Sequence, residues 1–98
     1  WQGRCGLSRS SLQTCTITKG DAVLNGEIGM LYTYELASGI EFERFMPSEG
    51  RGRACAEEGY MRQLGKSWFP IRSVCEGDLI MHQLPTGNNM MVEMYDSP

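Results

Sequence analysis

Alternation across residues 27–46, EIGMLYTYELASGIEFERFM, constrains the fold of this chain more than any other stretch. Ile28, Met30, Tyr32, Tyr34 and Leu36 fall on one parity; Glu27, Gly29, Thr33 and Glu35 fall on the other. Successive side chains of a strand point to opposite faces, so the first set is expected in the core and the second in water. Leu31 breaks the polar face once. After a turn at Ala37-Ser38-Gly39, Ile40 and Phe42 alternate with Glu41 and Glu43, and then Phe45 falls out of step. One extra residue near Glu43-Arg44, a β-bulge, would return Phe45 to the core side.

The flanking sequence extends this hairpin. Leu12–Thr18, rich in β-branched residues, reads as a strand, whereas residues 3–8 read as a weak one. Lys19-Gly20-Asp21 is expected to turn the chain into Ala22-Val23-Leu24. Asn25-Gly26 is the clearest turn, since both residues tolerate the positive φ of a type I′ hairpin. Residues 12–46 therefore predict an antiparallel meander. Pro47–Gly59 carries glycines and mixed charges without an apolar period, which predicts an exposed loop pinned at Cys55. A short helix over Ala54–Leu64 is the alternative there, weakened by Gly59.

β-structure resumes further on. Tyr60-Met61 and Lys66–Phe69 supply apolar weight, and Pro70 is expected to end or edge its strand. Ser73-Val74-Cys75, a turn at Glu76-Gly77-Asp78 and Leu79–Leu84 give two strands or one bent strand. Pro85-Thr86-Gly87-Asn88 turns the chain into a last strand, Asn89–Tyr95. Met90 and Met94 are expected to fill the core, and Met91 and Tyr95 to form an exposed apolar strip. The expectation is one all-β domain over residues 1–98: a small antiparallel barrel or sandwich of about seven short strands, built from successive hairpins.

Cys5, Cys15, Cys55 and Cys75 bear on the compartment. They are even in number and widely spaced, without the close ligand pairs of a zinc site. Two disulfides are expected, and with them an oxidising, extracellular or periplasmic setting, with four buried free thiols in a cytosolic protein as the alternative. Three pairings are open. Cys5–Cys15 and Cys55–Cys75 are favoured because each pair brackets a reversal, and each closure would contribute about 2–3 kcal/mol. The chain opens on Trp1 rather than Met, as expected of one processed or cut from something longer.

A net charge of −3 is too mild to steer the chain toward nucleic acid or anionic membranes. No apolar run is long enough to span a bilayer. The lone histidine, His82, shares its parity with Ile80 and Leu84, which predicts a packed residue rather than a catalytic base. Glu41 with Glu43, and Glu57 with Glu58, are the available carboxylate pairs, and solvated surface is the expected setting for both. Gly50-Arg51-Gly52-Arg53 lacks the ending of a P-loop. Copper has no histidine companion to the methionines, so no metal or cofactor is expected.

Six of the nine Lys and Arg residues lie between Arg44 and Arg72, interleaved with Tyr60, Trp68 and Phe69. Loops on a rigid β scaffold carry recognition without disturbing the core, so the 47–69 segment is the expected working surface. Arg51, Arg53, Trp68 and Arg72 are its candidate binding residues. In general profile the chain resembles small periplasmic inhibitors of hydrolases, a likeness of class that no motif carries. The resulting expectation is a secreted or periplasmic binding module without catalysis, a monomer or weak homo-oligomer, whose partner is a protein or a glycan. A structural domain of a larger surface assembly, or a small-ligand carrier with a pocket inside the barrel, are the alternatives.

Overall fold

A computed structural model describes residues 1–47 and 55–95; the expectations placed on residues 48–54, including Arg51 and Arg53, lie outside them. The chain forms a closed antiparallel barrel of eight strands in sequential order. They are β1 (Gln2–Gly6), β2 (Gln13–Leu24), β3 (Glu27–Leu36), β4 (Glu41–Met46), β5 (Glu57–Gln63), β6 (Phe69–Glu76), β7 (Leu79–Gln83) and β8 (Asn89–Tyr95). Closure comes from β1 pairing with β8, Gly3 opposite Tyr95 and Cys5 opposite Glu93. A sheet closed this way removes most of the edge that an open sheet of this size would expose. The weak strand expected near residues 3–8 is thus the seam of the barrel.

The predicted turns at residues 25–26, 37–39 and 85–88 are present. Asn25 and Gly26 have φ of 51° and 82°, the backbone of a type I′ turn. Leu36 N–H donates to the Ile40 carbonyl across the second turn, and Leu84 N–H donates to the Asn88 carbonyl across the third. Both disulfides form as favoured, Cys5–Cys15 and Cys55–Cys75. Two such bonds in a small β fold are consistent with an oxidising compartment.

Four local expectations are corrected. Lys19-Gly20-Asp21 does not turn: β2 runs unbroken from Gln13 to Leu24 and pairs with β3 at every position from Cys15 to Leu24. Long-range pairing prevails because an extended Gly20 costs little and the true reversal lies five residues on. Glu57–Gln63 forms β5, which takes the last three residues of the expected Pro47–Gly59 loop and replaces the alternative helix over those positions. No bulge interrupts β3 against β4, whose register is continuous from Met30 opposite Met46 to Glu35 opposite Glu41. Phe45 therefore stays on the outer parity, yet it is buried, because its ring tip lies over Gly29 where a Cβ would overlap both the ring and the Met46 carbonyl. The missing side chain makes room for an aromatic ring on the outside of the sheet. Lastly, Met91 is fully buried in the core, so the exposed strip with Tyr95 does not exist; the side chain of Tyr95 is outside the described set.

Inward positions pack a core of Ile17, Tyr32, Tyr34, Leu36, Phe42, Met61, Ile71 and Met91 around the Cys5–Cys15 disulfide. An eight-stranded barrel is just wide enough for side chains to fill it. An internal ligand chamber would have to displace these groups.

Candidate functional site

Two polar constellations stand out, one sealed inside the barrel and one open on its outer face. Inside, Arg44, Ser73, His82 and Glu93 are fully buried. Alternation places them there: Arg44 lies opposite Tyr32 and Met61, Ser73 opposite His82, and His82 opposite Met91. The Arg44 guanidinium lies 4.1 Å from the Tyr32 ring centroid, and its Nε donates to the Tyr34 hydroxyl at 2.9 Å. That hydroxyl in turn faces the Glu93 carboxylate. On the other side of Glu93, Oε2 stands 3.3 Å from His82 Nε2. His82 Nδ1 is 2.7 Å from Ser73 Oγ.

Burial holds the His82 pKa below its ordinary value against the opposing pull of Glu93, with Arg44 adding to the depression. Burial alone would raise Glu93; His82, Arg44 and Tyr34 together outweigh it and hold the carboxyl at about 2. At neutral pH, Glu93 is therefore ionised and balances Arg44, while His82 is neutral. Ser73 Oγ–H then donates to Nδ1, and the proton on Nε2 faces the carboxylate.

Serine, histidine and glutamate in a row invite comparison with a nucleophilic triad. Here the serine bonds to Nδ1 and the carboxylate faces Nε2, and all three groups are sealed from solvent. No substrate atom reaches Ser73 Oγ without opening the barrel. What this arrangement does is pin five strands, β3, β4, β6, β7 and β8, through one chain of polar groups.

The outer constellation contains one of the expected binding residues. A concavity of about 390 Å³ on β5, β6 and β7 is lined by Glu58, Tyr60, Pro70, Arg72 and Gln83, with Pro47 and Pro85 at its sides. Register explains the grouping: Glu58 pairs with Arg72 and Arg72 with Gln83, a polar row across three neighbouring strands. Tyr60 pairs with Pro70 to form an apolar row beside it. Among the described residues, neither Glu58 nor Arg72 is engaged in an ion pair. Gln83 donates from Nε2 to Asn89 Oδ1 at 3.1 Å, which leaves its amide oxygen as an acceptor and its second N–H as a donor.

Trp68 lies beside this surface rather than in it. Its ring carries the Arg62 guanidinium at 4.4 Å, and Arg62 Nε donates to Glu43 Oε1 at 2.8 Å. Arg62 and Tyr60 are two residues apart on the outer face of β5, so the stack flanks the concavity. Glu43 is consequently buried against Arg62 rather than solvated as expected. Glu41 is raised from the ordinary carboxyl value, first through a hydrogen bond with Glu35. Composition alone missed Glu58, Gln83 and the two prolines; the signal that finds them is strand register, once the turns are placed.

A third feature is the far end of the β2–β3 hairpin. β1 reaches only as far as Ile17, whose N–H and carbonyl are taken by Trp1, and β4 reaches only Met30. Beyond those points, among the described residues, the hairpin projects as a two-stranded arm. Val23 and Ile28, directly paired at its tip, are 66% and 77% exposed, so Ile28 lies outside the core expected for it. The Val23-Ile28 face continues the inward parity of the barrel past its rim.

Among the described residues, no group of three or more His, Cys, Asp or Glu side chains could hold a metal ion. None of their helices is long and apolar enough to cross a membrane. No family model matches the chain, and comparison with curated proteins and with solved structures returned no match.

Proposed function

We propose that the chain is a binding module without catalysis that works outside the cytoplasm, in an extracellular or periplasmic setting, and recognises another macromolecule on the outer face of β5–β7. The observation that carries this reading is the concavity around Arg72. It pairs an exposed guanidinium and carboxylate with an aromatic and proline surface, as ligand-recognising clefts do. The Arg62–Trp68 stack borders it and widens the contact area. The test compares immobilised wild type with an Arg72→Ala/Trp68→Ala variant against extracellular or periplasmic material. The expected result is a partner held by wild type and lost by the variant. An identical set captured by both would remove this surface from consideration.

A second reading, a structural domain of a surface assembly, is favoured by the β2–β3 arm. Alternation places the N–H and carbonyl of Lys19, Asp21 and Val23 on the side of β2 that β1 does not reach, an edge to which a strand can be added. Sedimentation of wild type beside Val23→Thr/Ile28→Thr tests it. Association that depends on concentration in wild type and vanishes in the variant is the expected outcome of this reading. A monomer at all concentrations counts against it.

A further inference from the structure

We infer that the concavity on β5–β7 takes a neutral, polyhydroxylated ligand, a saccharide unit of one or two rings; this rests on the reading of that surface as the binding face. The polar row runs from an acceptor through a donor to a group that does both: the Glu58 carboxylate, the Arg72 guanidinium and the Gln83 amide. Neighbouring strands are about 4.8 Å apart, so the row spans about 10 Å, the reach of two linked pyranose rings.

The sequence of donors and acceptors selects the chemistry. A phosphate or sulfate offers only acceptors, and would meet Arg72 with the Glu58 carboxylate, a second anion, directly beside it. An ammonium group offers only donors, and would meet the guanidinium between its two acceptors. A hydroxyl both donates and accepts, so adjacent hydroxyls of a sugar satisfy all three positions, with Arg72 able to bridge two of them. Opposite charges on Glu58 and Arg72 leave the row without net charge, which removes the steering an anionic ligand would use. The cross-strand pair of Tyr60 and Pro70 supplies a flat apolar surface beside the row, suited to the C–H face of a pyranose. The Gln83–Asn89 hydrogen bond fixes the amide orientation before a ligand arrives.

The test records amide chemical shifts of the intact protein titrated with maltotetraose, cellotetraose and chitotetraose at millimolar concentration, backed by an array of neutral glycans. A heparin tetrasaccharide and a proline-rich peptide serve as rival probes. The expected result is saturable shifts at Glu58, Tyr60, Arg72 and Gln83 with a neutral sugar. Arg72→Ala and Tyr60→Ala should each weaken binding about tenfold. Heparin binding that Glu58→Gln strengthens, binding of the peptide alone, or no response to any neutral glycan would each overturn the inference. If a partner that depends on Arg72 is still captured while every sugar fails, only the saccharide assignment falls. If the Arg72→Ala/Trp68→Ala variant also captures what wild type does, the binding-face reading falls with it.

Discussion

The barrel holds one row of mixed charge in its interior and another on its outer face, and the two behave oppositely because of water. Inside, Arg44, Tyr34, Glu93, His82 and Ser73 face one another in sequence, and burial makes each partner matter to the others. Outside, Glu58, Arg72 and Gln83 lie in register across three strands, yet Glu58 and Arg72 are engaged in no ion pair among the described residues. Similar side chains thus hold the fold together in one place and stay open to solvent in the other. Solvent access decides which.

Removing one interior partner should expose the largest difference. Arg44→Met leaves Glu93 ionised in a sealed core, and loss of one member of a buried pair costs about 3–5 kcal/mol. Urea unfolding measures it, and Arg44→Met/Glu93→Met should recover most of the loss because no charge is then stranded. A single variant as stable as wild type would mean that the interior row contributes little.

Acid sharpens the same contrast next. The folded pKa of His82 lies below its ordinary 6.5, so its share of stability is present above pH 6.5 and is lost as pH falls through the folded value. Glu93, held at about 2 against an ordinary 4.5, adds a share present above pH 4.5 and lost on the way down to 2. Both act in one direction, so the urea midpoint should fall by stages on acidification. A midpoint that stayed constant from pH 6.5 to 2 would refute the interior charge assignment. Smallest of all should be the outer row: Arg72→Ala and Glu58→Gln are expected to shift stability by about 0.5 kcal/mol or less while altering binding. A larger loss there would recast the concavity as part of the fold.

What the sequence made legible was local. Asn25-Gly26 and Pro85–Asn88 announce their turns through residues that favour the required backbone, and each cysteine pair brackets a short reversal. Gly20 misled because glycine punctuates turns and is equally tolerated in an extended strand supported by its neighbour. Phe45 misled because the space for its ring is created by Gly29 on another strand. Arg44 gave no sign of burial, since its hydrogen-bond and charge partners come from β3, β7 and β8 and only closure assembles them. The outer site was half legible for the same reason. Arg72 and Trp68 were visible as composition, but Glu58 and Gln83 join Arg72 only through register.

The seam between β1 and β8 also has a mechanical meaning. These strands run antiparallel side by side, with Gly3 opposite Tyr95, so the start of one and the end of the other lie at the same rim. Tension applied through both would not shear the ladder as a block. It would load the hydrogen bonds of the seam one pair after another and open the barrel like a zipper. The Cys5–Cys15 bond ties β1 to β2 and the Cys55–Cys75 bond reaches β6, and neither crosses the seam. Resistance to pulling in that direction should be low even though two covalent crosslinks are present.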